Sequence, residues 1–151
     1  MHLVIVTGAR DFPYPQIVHR ALHYELCAHG PFTLYHGACE DRETGKMTGA
    51  DSYADEWGHT TPGIEVVTFP ARADFDRWGN RGGPIRNRRM VKTAVLTAPR
   101  HDIQGLAFPG PRSKGTWNCV SIMKEFHIET DVWGPVRVNN ELAAMAREKQ
   151  P

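Results

Sequence analysis

The sequence predicts an α/β fold: a single Rossmann-like domain with a mostly parallel sheet and helices on both faces. Three observations carry this. Short apolar runs alternate with amphipathic stretches of roughly 10–16 residues, the order of βαβ units, and such units build parallel sheets. Four glycine-containing turns, at residues 8, 45–50, 82–84 and 110–115, each separate a strand-like run from a helix-like one. The chain has 151 residues, 40% of them apolar and 23% charged, which is the size and composition of one globular domain around one core.

The elements follow in order. Leu3–Val6 is an apolar strand broken by Thr7-Gly8. Residues 14–29 carry a helical stripe through Ile17, Val18, Ala21, Leu22, Leu26 and Ala28, closed by Gly30-Pro31. Residues 32–35 form the second strand, and a polar loop runs from His36 to Thr48. Residues 49–59 place Ala50, Tyr53, Ala54 and Trp57 on one helix face, with Asp51, Asp55 and Glu56 on the other. A third strand spans 64–69. Residues 70–83 are expected as a loop rich in Arg, Asp and aromatics. Pro84 then suits the first position of a helix reaching about Ala98. A fourth strand at 103–108 leads to a helix at 115–126. The last strand is either Ile128–Val132 or Val136–Val138. The expected organisation is a domain over 1–139 and a terminal helix or tail over 140–151.

Composition excludes several functions. A net charge of +1 argues against a chain that seeks polyanions through its overall charge, so nucleic acid is not an expected partner. Apolar runs of about half a dozen residues fall short of the ~20 needed to span a membrane. Residues 1–7 lack a basic n-region and read as a strand rather than a signal peptide. Three widely spaced cysteines, Cys27, Cys39 and Cys119, fit reduced thiols in a cytoplasmic protein. Cys39 and Cys119 are expected to be small unreactive residues, although Cys119 near a helix start is also a position where a thiol can be activated. Eight histidines give the close pairs Cys27-x-His29 and His36-x-x-Cys39, but no second matched pair, so no metal site and no cofactor are expected. No Gly-x-Ser-x-Gly elbow is present.

In a parallel sheet, ligands bind outside the carboxyl ends of the strands. The loops after Val6, Tyr35, Phe69 and Phe108 therefore share one rim. A turn that opens a helix presents unpaired N–H groups at the positive end of the dipole, and glycine lets a ligand approach them. Gly8, Arg86, Gly110, Gly115 and Thr116 are expected to contact phosphate, and Arg10, Asp11 and Asp51 a sugar or base. Arg10–Asp11 also reads as a surface charge pair on a turn, and Asp51 as a plain helix cap. Arg86 and Arg89 lie three apart on one helix face, with Arg88 elsewhere. Trp78, in a loop, is the candidate to stack on a base, ahead of Trp117. Thr7, Gly37, Asn87, Arg89, Pro109 and Lys114 complete the expected binding set. No catalytic residue is assigned; Asp11 and Asp51 are the candidates.

The ordered motifs Val-Thr-Gly-Ala-Arg-Asp-Phe (6–12), His-Gly-Ala (36–38), Gly-Ala-Asp (49–51) with Ala54 and Trp57, Gly-Pro-Ile-Arg-Asn-Arg-Arg-Met (83–90) and Ala-Phe-Pro-Gly…Lys-Gly-Thr (107–116) resemble the YspA-type branch of the SLOG superfamily over roughly residues 3–132. The resemblance implies a Rossmann-like sheet binding a nucleotide or nucleotide-derived ligand. It also implies kinship with the LOG-type phosphoribohydrolases and the DprA single-strand binders, and, by analogy, a homo-oligomer. LOG-type enzymes carry Pro-Gly-Gly-x-Gly-Thr-x-x-Glu. Here Pro111 replaces the second glycine and Cys119 stands at the glutamate position, where a carboxylate would assist N-glycosidic cleavage. The expectation is a ligand-binding or sensing module, with an ADP-ribose-like ligand among the candidates. The alternative is an N-glycosidic hydrolase of nucleoside monophosphates, with single-stranded DNA binding behind it.

Overall fold

The computed structural model describes residues 1–150. Five strands, β1 (His2–Gly8), β2 (Phe32–His36), β3 (Glu65–Thr68), β4 (Ile103–Phe108) and β5 (Glu129–Val132), make one sheet in the order β3-β2-β1-β4-β5. All four ladders are parallel. Six helices connect and flank them: α1 (Pro15–His29), α2 (Gly49–Thr60), α3 (Arg72–Trp78), α4 (Gly82–Thr97), α5 (Lys114–Glu125) and α6 (Pro135–Glu148). The fold is the α/β, Rossmann-like arrangement that the alternation of periods indicates.

Side chains alternate across a strand, and this divides the core in two. Val4, Val6, Leu34, Leu106 and Phe108 pack with Ile17, Leu22, Ala50 and Ala54 of α1 and α2. Leu3, Ile5, Tyr35 and Ala107 pack on the opposite face with Met90, Val91, Val120 and Met123 of α4 and α5. β1 is buried on both faces, which is why it reads as an unbroken apolar run rather than an alternating one. Trp57 is half-buried and stacks on Phe32 with ring centroids 5.8 Å apart.

Three boundaries differ from expectation, and the structure decides between the two alternatives for the last strand. β1 continues through Thr7-Gly8, because both residues pair with Ala107 and Phe108 of β4. Residues 70–83 are not a loop: they hold α3, a 3₁₀ turn at Gly79–Arg81, and the start of α4. Seven residues form a poor helix by themselves. This one is held from outside, by a two-pronged ion pair between Asp74 and Arg89 of α4 at 2.8 and 2.9 Å. Gly82 brings α4 against it; a Cβ there would lie 2.6 Å from the Asp74 and Phe75 backbone. The last strand is at Glu129–Val132, and Val136–Val138 belongs to α6. That helix starts at Pro135 rather than Asn140, with the proline at its first position. It docks on α1 through Arg20, which bonds Glu141 at 2.5 Å and Glu148 at 2.5 and 2.9 Å, and through Leu142 and Met145 on the core.

Candidate functional site

The strand order reverses between β1 and β4, so the loops that leave their carboxyl ends part company there. The β1 loop stays close to β4: Ala9 N–H donates to Phe108 O at 2.9 Å. Gly8 packs directly against Ala50 and the Phe108 carbonyl, and Gly110 lies where a Cβ would come within 3.0 Å of both Ala9 Cβ and Asp11 Oδ1. Both glycines are therefore required by the approach of neighbouring chain segments. In the β4 loop, Gly110 N–H donates to Ser113 Oγ, which returns a bond to Gly110 O at 2.7 Å. No side chain caps the first turn of α5, so the amide groups of Lys114, Gly115 and Thr116 keep their donor capacity at the helix N-terminus. The Thr116 side chain itself is buried.

A concavity lies beside this switch point, on the β2–β3 side. It has a volume of about 350 Å³ between the β2–α2 loop and α3, and its wall includes Arg10, Cys39, Arg42, Arg72, Phe75 and Arg86 together with Glu40, Asp41 and Asp76. Arg86 forms the inner wall. Its Nη1 donates to the carbonyls of Gly37 and of Phe69 (2.9 Å for the latter), and its Nε donates to Asn87 Oδ1 at 2.9 Å. One guanidinium thus ties the end of β2 to the end of β3. Gly37 makes room for it, since a Cβ there would lie 2.5 Å from Nη1. Arg10 spends only Nε, on Cys39 Sγ at 3.1 Å. Among the described residues, Arg10, Arg42 and Arg72 have no carboxylate within ion-pair distance. Three exposed guanidinium groups therefore converge on the cavity with their forked donors available.

Asp51 is buried, turned inward from the first turn of α2. Its Oδ2 accepts the Cys39 N–H at 3.0 Å, while Oδ1 is buried without a hydrogen-bond partner among the described residues. It is more than a helix cap, for it organises the loop that walls the cavity. Burial pushes its carboxyl above the ordinary Asp range, against the opposing pull of His36 and Arg86. The His36 ring is fixed at both nitrogens: Nδ1 accepts the Ala38 N–H at 3.0 Å and Nε2 faces Asp55 Oδ1 at 2.8 Å. Ala38 itself takes φ of 49°, a left-handed conformation that a non-glycine residue adopts only when its surroundings impose it.

The structure divides the expected site residues into three groups. Arg10 and Arg86 line the cavity, with Gly37 and Asp51 directly behind its wall. Thr7, Gly8, Asp11, Pro109, Gly110, Lys114, Gly115 and Thr116 gather at the β1–β4 switch point next to it. Asn87, Arg89 and Trp78 serve other contacts. Asn87 is buried and its Nδ2 donates to Gly115 O and Asn118 Oδ1 at 3.2 and 3.1 Å. Arg89 is committed to Asp74. Trp78 lies under Arg77, 4.8 Å from its ring centroid, away from the cavity. Phe75, one turn earlier on α3, is the aromatic that reaches the cavity wall. Phe75, Arg42 and Arg72 escape a reading of the sequence because they lie in segments that look like polar loops. For Phe75 and Arg72 the only signal is the density of Arg, Asp and aromatic residues in 70–83; Arg42 carries none.

Two of the three thiols are held back by their environment. Burial pushes Cys119 up to about 12 and raises Cys39, for which nearby Asp51 acts in the same direction.

No family model matches the chain, and no solved structure gives a significant match. The chain is 33% identical over 124 residues to the gene 61 protein of Mycobacterium phage D29, an alignment that covers 80% of this chain and 86% of the phage protein. No helix is long and apolar enough to cross a membrane.

Proposed function

We propose that this chain, which belongs to the same family as the gene 61 protein of Mycobacterium phage D29, binds a nucleotide or nucleotide-derived ligand, with ADP-ribose-like compounds among the candidates, as a sensing or ligand-binding module of SLOG type. One observation carries the reading: Arg10, Arg42 and Arg72, without carboxylate partners among the described residues, surround a cavity whose inner wall is Arg86. Arginine forks match phosphate oxygens two at a time. Phe75 offers a ring face for a base, and the uncapped N-terminus of α5 adds amide donors at the adjacent switch point. The cavity volume suits a ligand with a sugar and one or two phosphates.

A second reading, N-glycosidic hydrolysis of a nucleoside monophosphate, rests on Asp51. Its buried, partnerless Oδ1 and raised carboxyl are features of a general acid. The binding reading stands ahead of it because Asp51 lies behind the Cys39 backbone rather than on the cavity wall. The same proposal takes the chain as cytoplasmic and homo-oligomeric, with the exposed Ile85 and Leu96 of α4 as supporting apolar surface. Light scattering on purified protein checks the oligomer.

The test is a thermal-shift series with nucleoside mono- and diphosphates, ADP-ribose and a short single-stranded oligonucleotide. A ligand at 100 times its Kd adds ~2.7 kcal/mol, about 5–10 °C for a domain of this size. The expected result is a shift with a phosphate-bearing mononucleotide that Arg72→Ala reduces and Trp78→Ala does not. Intact ligand by mass spectrometry means binding; released base means the hydrolase. A shift with the oligonucleotide alone rejects both.

A further inference from the structure

We propose that His2, Glu25 and His29 form a zinc-type divalent metal site at the amino-terminal edge of the sheet, remote from the arginine cavity and independent of the ligand it takes. His2 is the first residue of β1, so it lies at the opposite end of that strand from Gly8 and the switch point. Glu25 and His29 are four apart in the last turns of α1, on one helix face. The fold brings His2 to them. His2 Nε2 is 2.9 Å from Glu25 Oε2, His29 Nε2 is 3.7 Å from the same oxygen, and the three donor atoms all lie within 4.8 Å of one another. Tetrahedral bonds of 2.0–2.2 Å to nitrogen and oxygen set neighbouring donors roughly 3.3–3.6 Å apart. The separations from Glu25 to His2 and to His29 bracket that spacing, and a rotation of the half-exposed His29 side chain closes the shell.

His2 and His29 stack with centroids 4.0 Å apart and planes 22° apart. An imidazole donates its lone pair in its own ring plane, so the half-exposed His29 ring turns out of the stack when both nitrogens share an ion. Phe32, the register partner of His2 on β2, meets the His2 ring edge-on at 5.9 Å and holds it from the other side. Side-chain exposure is 11% for His2 and 15% for Glu25 but 49% for His29. Two donors are therefore set into the wall and one closes from the surface, which leaves the outward position of a four-coordinate ion to water. Two imidazoles and one carboxylate are a borderline donor set that suits Zn²⁺ and its transition-metal neighbours; Mg²⁺ and Ca²⁺ want oxygen alone. Bound there, the ion joins the start of β1 to the end of α1, two segments 23 residues apart in sequence. The nearby pair Cys27 and His23, with sulfur and nitrogen 3.4 Å apart, lies on the exposed surface of the same helix and offers only two donors.

Isothermal titration of Zn²⁺ into the full chain, with a parallel thermal-unfolding series, tests the proposal. The expected result is one Zn²⁺ per chain and a raised unfolding midpoint. His29→Ala and Glu25→Gln should each weaken binding by about tenfold or more, with His29→Ala leaving the metal-free midpoint unchanged. Cys27→Ala should bind as the parent does, and Mg²⁺ should give no saturable heat. Co²⁺ should show the visible bands of a tetrahedral nitrogen and oxygen site without a thiolate charge-transfer band. Absence of saturable Zn²⁺ binding, binding that survives both His29→Ala and Glu25→Gln, or binding lost in Cys27→Ala would overturn it.

Discussion

Replacing Arg86 by alanine tests its role in holding the wall of the cavity. Nη1 serves the carbonyls of Gly37 and Phe69, and Nε serves Asn87. Gly37 is buried and Phe69 half-buried, so water replaces these contacts poorly. A hydrogen bond from a charged donor contributes roughly 1.5–3 kcal/mol, and a buried acceptor left unpaired costs roughly 1–3 kcal/mol. The two carbonyls share one nitrogen, so their contributions are not additive. We expect a loss of about 2–4 kcal/mol, equal to roughly 4–16 °C in a domain of about 150 residues. Thermal unfolding by circular dichroism at pH 7 reads the shift, and urea titration should move the midpoint with the slope unchanged. Arg86→Lys keeps the charge but supplies a point donor without the fork, so it should recover less than half of the loss. An alanine variant that melts within about 2 °C of the parent would refute this account, and with it the view that Arg86 holds β2 and β3 together at the cavity.

Three further outcomes follow from named contacts. Asp51 has its carboxyl raised by burial, so its stabilising protonated form is fully present below the unfolded Asp value of about 3.9 and is lost as pH rises through the higher folded value. Asp51→Asn retains an oxygen for the Cys39 N–H. It should therefore be more stable than the parent at pH 7, with the gap narrowing in acid, as read by urea unfolding across pH. Asp74 runs the other way. The Arg89 fork holds its carboxyl below the ordinary Asp range, so this stability is present above about pH 4 and lost as pH falls through the folded value. Asp74→Asn should cost about 1 kcal/mol at pH 7, a figure kept small because Arg89 is half exposed, and the difference from the parent should fade in acid. Alkylation with iodoacetamide should label exposed Cys27 in the native protein and reach Cys119 only in denaturant; mass spectrometry of the digest checks both.

Much of the architecture is legible in the residues themselves. β1, β2 and β4 are short apolar runs bounded by glycine or proline, and α1 and α2 carry clear apolar stripes. The position of the ligand rim follows from parallel topology alone, so Arg10, Gly37, Asp51 and Arg86 could be assigned to one neighbourhood before any coordinates. Local pattern failed where an element is held by distant partners. α3 has only seven residues and depends on the Asp74–Arg89 pair and the close approach at Gly82. Its missing helix concealed Arg72 and Phe75 as parts of the wall; α3 carries Phe75 to the cavity, whereas Trp78 packs under the Arg77 guanidinium.

The sequence by itself determined the fold class, the order of most elements and which loops share the carboxyl rim of the sheet, because hydrophobic periodicity and glycine turns are local properties of the chain. Only the tertiary structure decided which charges remain available. Arg89 is neutralised by Asp74 and Arg86 is drawn into backbone carbonyls, whereas Arg10, Arg42 and Arg72 face the cavity. It also decided that His2 meets Glu25 and His29, since spacing along the chain cannot reveal a donor carried in by a neighbouring strand. Pairing energy falls off within a few ångströms, and that distance is set by packing rather than by position in the sequence.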